Sequence, residues 1–387
     1  MRSAPFAAAT AAVLACGGPS PGGPPVPGGR TPPRPDLARL HEEVRVPGLE
    51  DRRFGPDAYW RVLGPVVRRG GLSMEEVGRS AEGRPLRLVS FGQGPVTVLM
   101  WSQMHGNEST ASMALVDVLE LVGERPDDPL VRTITRGVTV HLLPMLNPDG
   151  ALRFQRRNAQ GVDINRDARL LATPEARTLK AVRDRLDPDF GFNLHDQNAG
   201  TRVGSSDRGV AIALLAPAFD ASGEVDDLRR RAMEVIGVVV GAITPLVEDR
   251  IARYDDTFNP RAFGDLMAAW GSSTILIESG GLEGDPQKQR LRRANFVALL
   301  AALESIATES WKGVGTGVYD ALPRNGRRVA DLLIAGGTLA VPGLPPNRAD
   351  LLIDYARPLL EEGGTISDIG DLEGTEAQDT VRVDGLY

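Results

Sequence analysis

The chain has 387 residues, of which 42% are hydrophobic and 25% charged, ordinary values for a soluble fold and enough for one large domain with something smaller attached. A formal net charge of −7 argues against nucleic acid as a partner, because gripping a phosphate backbone needs a broad basic face. The lone cysteine, Cys16, rules out an internal disulfide and leaves the redox compartment undecided.

In chain order, Arg2 precedes an Ala-rich apolar stretch over residues 4–15, and Cys16 follows it. That is the order of a short signal peptide, and we assign it to residues 1–16. VLAC at residues 13–16 resembles the lipobox of bacterial lipoproteins, although Leu14 stands where a smaller residue is usual and Pro5 interrupts the apolar run. On this reading the protein is exported to the bacterial periplasm or cell envelope, with Cys16 as the candidate lipid anchor. The other reading is an Ala-rich start of a cytoplasmic protein. Residues 17–35 are almost all Gly and Pro and cannot bury a core, so they read as a disordered or partly polyproline tether. Folded protein is expected to begin between residues 36 and 54.

From there strands and helices alternate. Residues 74–80 read as a turn or short helix leading into an edge strand over 87–91. Residues 96–102 form a β-branched, apolar strand, and residues 108–122 a helix with Asn107 as its N-cap. Strands are expected over 138–143, 190–194, 211–215 and 273–277, and helices over 174–185, 225–243 and 287–306. The apolar run 235–247 is too short to cross a bilayer and reads as a buried helix. This alternation predicts an α/β fold with a mixed, largely parallel central sheet and helices on both faces, spanning residues 36–308. Beyond it, short apolar runs over 327–341, 349–355 and 365–371, separated by Gly, Pro and Asp, predict a small, mostly β appendage over 309–387. GGTLAVPG and the closing IGDL and VDGLY faintly resemble the small β-sandwich of many amidohydrolases, but no His-x-His metal motif accompanies them.

Only four histidines occur: His41, His105, His141 and His195. His41 lies near the Pro-rich leader and is expected to be exposed. His141, inside VTVHLL, reads as a strand residue with a local hydrogen-bond partner. His105 and His195 each end an apolar strand, at the edge where open α/β sheets collect ligands. In HGNE, His105 and Glu108 sit where a strand hands over to a helix. A turn there can aim an imidazole nitrogen and a carboxylate at one point about 2 Å from each, as zinc asks. Two histidines, one glutamate and an open fourth position make a common catalytic zinc set.

From residue 59 to 306 the chain resembles the zinc carboxypeptidases of the carboxypeptidase A superfamily, the M14 peptidases. The matching pieces come in family order: HGNE at 105–108, NPDG at 147–150, QRRNAQGVDINRD at 155–167, NLHDQ at 193–197 and LIESGG at 276–281. The resemblance implies one zinc ion per chain, held by His105, Glu108 and His195. It implies that Asp163 accepts the outer N–H of a ligand histidine and fixes its tautomer. Asn165 and Arg166 match the pair that grips the substrate's terminal carboxylate, for which a guanidinium offers a planar fork. Arg156 matches the arginine that polarises the scissile carbonyl, with Arg157 the weaker candidate. Glu278 matches the general base, and an acidic residue after TILI is costly to bury without a task or a partner. Tyr254 is the only tyrosine in the interval where the family places its mobile tyrosine, and the words around it differ from those of the pancreatic enzymes. Arg261 falls near the floor of the family's side-chain pocket, which suggests a preference for an acidic terminal side chain.

These expectations amount to a metallocarboxypeptidase hydrolysing the C-terminal bond of peptides, cell-wall stem peptides among them. Two alternatives stay open: a zinc deacylase of N-acyl amino acids on the same fold, and a non-catalytic peptide-binding relative.

Overall fold

The computed structural model describes residues 36–355 and 363–383. The leader, tether and lipid-anchor assignments on residues 1–35 lie outside the described residues.

An eight-stranded sheet runs through the larger part of the fold. Its strands are β1 (Ser73–Arg79), β2 (Pro85–Gly92), β3 (Val96–Ser102), β4 (Val138–Leu143), β5 (Phe190–Asp196), β7 (Ile212–Leu215), β8 (Ile251–Arg253) and β9 (Ser273–Ser279), while β6 (Thr201–Val203) stands outside it. The spatial order is β1-β2-β4-β3-β5-β9-β7-β8. The β3/β4, β3/β5, β5/β9 and β7/β8 pairs are parallel and the others antiparallel, the mixed, largely parallel sheet expected from the alternation.

Strand β3 shows why this sheet is covered on both faces. Val98 and Met100 point into a core built with the helices Thr110–Glu124, Asp227–Val247 and Gln289–Thr308. Leu99 and Trp101, on the opposite face, pack with Leu179 of the helix Pro174–Leu186 and with Phe263 and Met267 of the helix Phe263–Ala269. A strand buried on both sides has no polar face to alternate with, so it reads as a continuous apolar run. No helix among the described residues is long and apolar enough to cross a membrane.

The elements differ from expectation at several points. Residues 74–79 are neither a turn nor a short helix but most of edge strand β1, whose residues are mostly exposed, so no apolar period marks it. The helix after HGNE starts at Thr110 rather than at residue 108, and the Ser109 hydroxyl donates to the Arg52 carbonyl at 2.6 Å instead of capping it. Asn107 therefore does not cap, and Glu108 is released from the helix to face the sheet edge. His41 is buried rather than exposed: its ring meets Asp117 at 3.0 Å and Phe296 edge-on. His141 has the local partner expected of it, the Ser90 hydroxyl at 2.7 Å.

The C-terminal residues form β10 (Asn325–Arg328), β11 (Ala330–Leu339), β12 (Asn347–Tyr355), β13 (Gly364–Gly370) and β14 (Ala377–Arg382). The last four make a sheet of order β13-β12-β11-β14, and β10 pairs with β6. Through that ladder the appendage is stitched to the segment just after His195, with Asn325 opposite Val203 and Arg328 opposite Thr201.

Candidate metal centre and cleft

The site begins at a strained step. Gln103, directly after β3, adopts a φ of 52°, a conformation costly for a residue with a side chain, and its amide donates to the Gly106 carbonyl at 2.9 Å. Gly106 lies so close to the NPDG turn that a Cβ there would stand 2.0 Å from the Gly150 carbonyl carbon. Asn147 of the same turn clamps both sides, accepting from Gly150 N at 2.8 Å and donating to the Met104 carbonyl at 3.1 Å. The two motifs are thus halves of one support, and its product is the aim of His105 and Glu108.

His105, Glu108 and His195 are all buried, and one ligand atom from each lies within 4.8 Å of the others. Both imidazoles point Nδ1 inward. His105 Nδ1 stands 2.8 Å from Glu108 Oε1, His195 Nδ1 stands 2.6 Å from Glu108 Oε2, and the two Nδ1 atoms are 3.1 Å apart. Two ring nitrogens at that distance cannot both present lone pairs to each other without repulsion. A cation at their common focus resolves the conflict, and two nitrogens with a carboxylate are a donor set suited to a divalent metal. The residues fit the group. Outside them, the His105 Nε2–H reaches Asp163 Oδ1 at 3.0 Å, which fixes the ring with Nδ1 free for the metal. Asn165 Nδ2 faces His195 Nε2 at 3.5 Å.

The electrostatics follow from this crowding. Burial opposes the charge on Glu108, but the flanking imidazoles outweigh it and hold the carboxyl well below the usual range. Burial also pulls the His195 ring down. For His105 burial pulls down as well, yet Glu108 and Asp163 overcome it and the net shift is upward. Glu278 moves the other way: burial, then the Glu108 and Asp196 carboxylates, push it well above the carboxylate range. It lies directly beside the centre because His195 and Glu278 are register partners across the β5/β9 pair.

Arg156 bridges the two carboxylates, with Nη1 at 3.1 Å from Glu108 Oε1 and Nη2 at 3.0 Å from Asp163 Oδ2. Arg157 instead donates to the Gly161 carbonyl from an exposed position. Asn165 Oδ1 accepts from Phe263 N at 2.9 Å, tying the Asn165–Arg166 step to the helix Phe263–Ala269. Arg166 and Tyr254 both line the cleft, and the Glu278 carboxylate, then burial, push the tyrosine hydroxyl pKa up. Arg261 departs from expectation. Its side chain is exposed and outside the cleft wall, and its backbone carbonyl accepts from Ala168 N at 3.1 Å. The acidic residue Asp265, pushed up to about 6 by burial, lines the cleft in that region, so the suggested acidic preference loses its residue.

Three features escaped the sequence. Lys288, buried and drawn down to about 8 by its desolvation, donates to Asp196 at 3.1 Å and to the Ser279 carbonyl, next to Glu278, at 2.9 Å. Arg52 reaches the same Asp196 oxygen at 3.1 Å from far upstream. The third is the cleft itself, a cavity of about 1530 Å³ whose wall includes Asn325, Asp331, Tyr355 and Asp379 of the appendage. The aspartate after NLH was a visible signal for the first two, whereas nothing in the sequence places the tail at the cleft.

Residues 70–199 match the family model described as zinc carboxypeptidase, peptidase M14. The stretch takes in HGNE, NPDG and NLHDQ. Over these residues the chain is similar to that family. Among curated relatives, carboxypeptidase E of Caenorhabditis elegans is 32% identical over 116 residues, covering 24% of this chain and 25% of that protein. Alignments with the first curated relatives span only 39%, 25% and 20% of their lengths. A metallo-carboxypeptidase structure from Burkholderia cenocepacia matches with a TM-score of 0.51 at 21% identity, covering 67% of this chain and 71% of the other. Bovine thrombin-activatable fibrinolysis inhibitor, solved with a tick carboxypeptidase inhibitor, matches with a TM-score of 0.55 at 14% identity, covering 67% of this chain and 98% of the other. At these identities the structures speak for the fold.

Proposed function

We propose that this protein is a zinc-dependent metallocarboxypeptidase that removes the C-terminal residue of peptides. The observation that carries the reading is the convergence of His105 Nδ1, His195 Nδ1 and the Glu108 carboxylate within 4.8 Å, with Glu278 on the neighbouring strand in register with His195. A zinc ion held by those three residues would supply Lewis-acid polarisation and an acidified water.

The chain's own residues do the rest. Arg166 anchors the terminal carboxylate of the peptide through charge-assisted hydrogen bonds, and so sets which bond reaches the centre. Glu278, on the strand in register with His195, takes the proton of the attacking water and delivers it to the departing amine. Arg156, half-exposed at the cleft, places positive charge where the carbonyl oxygen gains negative charge. Tyr254, also in the wall, closes over the bound end. Should the chain be exported, scavenged peptides and cell-wall stem peptides are the substrates within reach.

The test is incubation of the purified protein with a mixed peptide library, with mass spectrometry of the trimmed ends. Loss of single residues from C-termini, abolished by a chelator and restored by zinc, is the expected result. Untouched C-termini, with or without added zinc, would sink the reading.

A further inference from the structure

The proposed chemistry gives no task to Lys288, although that residue lines the cleft. Its side chain is only 6% exposed, and an ammonium ion is expensive to bury unless partners replace its water. Both partners lie on the strand ends that carry the chemistry. Nζ donates to Asp196 Oδ2 at 3.1 Å and to the Ser279 carbonyl at 2.9 Å. Asp196 follows His195, Ser279 follows Glu278, and the two pairs stand opposite each other in the β5/β9 register. Lys288 thus ties the two strands together one residue beyond the two functional side chains. Its own backbone pays a conformational cost to be there: φ is 52°, directly before the helix Gln289–Thr308.

The tie sits where the sheet gives least support. Backbone pairing between β5 and β9 ends close by, with Gln197 N donating to the same Ser279 carbonyl at 3.0 Å. Ser279 is already fixed to the core helix, since its hydroxyl accepts from Asn295 Nδ2 at 2.8 Å. Asp196 Oδ2 faces the segment that carries Glu108, accepting from Thr110 Oγ1 at 2.8 Å and from Arg52 Nη2 at 3.1 Å. Arg52 Nη2 also donates to the Asn107 carbonyl at 3.0 Å. Lys288 therefore passes the anchorage of the helix on to the segments that hold His195 and Glu108.

We propose that Lys288 is a positioning residue for the hydrolysis, its cross-tie holding Glu278 at a fixed distance from His195. The inference rests on the carboxypeptidase reading. The metal group and Arg166 keep supports of their own, Asp163 behind His105 and the bond from Phe263 N to Asn165, so the loss of the tie falls on turnover.

Lys288→Met keeps the length of the side chain and removes its charge and donors. On whichever peptide the zinc-loaded full chain trims fastest, kcat should fall on the order of 10- to 100-fold, the cost of a misplaced reacting group, while KM moves less than about threefold. Zinc content should stay at the wild-type level, and Lys288→Arg, which keeps charge and donors, should recover part of the loss. Asp196→Asn weakens the other end of the tie and should lower kcat in the same selective way; it decides the matter if Lys288→Met does not fold. The double variant should be no slower than the slower single one. Hydrogen exchange read by mass spectrometry reports the tie without turnover: the Gln197 amide should exchange about tenfold faster in Lys288→Met, and the β12 amides at the wild-type rate. An unmoved kcat, or a fall in KM performance and zinc content along with kcat, overturns the positioning role while C-terminal trimming stands. Faster Gln197 exchange in a chain whose wild type trims no peptide leaves the cross-tie standing and overturns the carboxypeptidase reading instead.

Discussion

Among the described residues, two clusters set buried histidine and carboxylate beside an arginine, and they differ in whether their bonding is finished. In one, Asp117 accepts from Val46 N at 2.9 Å, from His41 Nε2 at 3.0 Å and from Arg292 Nε and Nη2 at 2.6 Å each, so both oxygens are fully used. Arg292 and Asp117 have no side-chain exposure at all. In the other, Asp163 and Arg156 saturate the outer edges, while the inner atoms of His105, Glu108 and His195 turn toward one another within 4.8 Å. The first cluster ties the helix Leu37–Val44 and the segment after it to the helices Thr110–Glu124 and Gln289–Thr308. The second leaves lone pairs converging on one point. A buried histidine beside a carboxylate therefore says little about function; what matters is whether the donors and acceptors balance without a further atom.

That contrast can be broken from either side. The largest effect belongs to Glu278→Gln, which keeps the shape and removes the proposed base: kcat/KM on C-terminal peptides should fall on the order of 10²–10⁴-fold while the melting temperature barely moves. Asp117→Ala is its counterpart. It leaves Arg292 buried without its partner and should cost about 3–5 kcal/mol in denaturant unfolding, as loss of one member of a buried pair does. The folded fraction of that variant should keep its kcat, and a large loss of kcat would erase the distinction between the clusters. Asp163→Asn is smaller. It should weaken metal affinity about 10- to 100-fold in competition with a chelator, because the His105 ring exchanges a charged acceptor for a neutral amide oxygen. Arg261→Ala should leave the relative rates on peptides ending in Glu, Leu and Lys within about twofold, as exposed surface changes usually do. A selective loss on Glu would restore the pocket role that its exposed position denies.

How much of this could be read from the sequence depended on which physical signal each feature leaves. Strand β3 was legible because a strand covered on both faces leaves a long apolar run, and β4 because Val138, Val140, Leu142 and Leu143 are buried while Thr139 and His141 are half-buried, so both fall on the expected residues. Strand β1 was not, because an edge strand with mostly exposed side chains leaves no apolar alternation. The candidate metal group was legible only as ordered motifs, since HGNE alone is common and its meaning came from NLHDQ and LIESGG downstream. His41 misled because its position next to a Gly/Pro-rich leader suggested solvent, whereas its partners Asp117 and Phe296 lie far along the chain. For the same reason the hydrogen bond between Gln197 and Asn325 was invisible: its residues are 128 positions apart and meet only through the β6/β10 ladder.

Metal content is the most direct measurement. Purified protein equilibrated with zinc and freed of excess should carry one ion per chain by elemental mass spectrometry, His195→Ala and Glu108→Ala should carry almost none, and His41→Ala should carry the wild-type amount. Zinc retained by His195→Ala and Glu108→Ala, or absent from the wild type, would contradict the account.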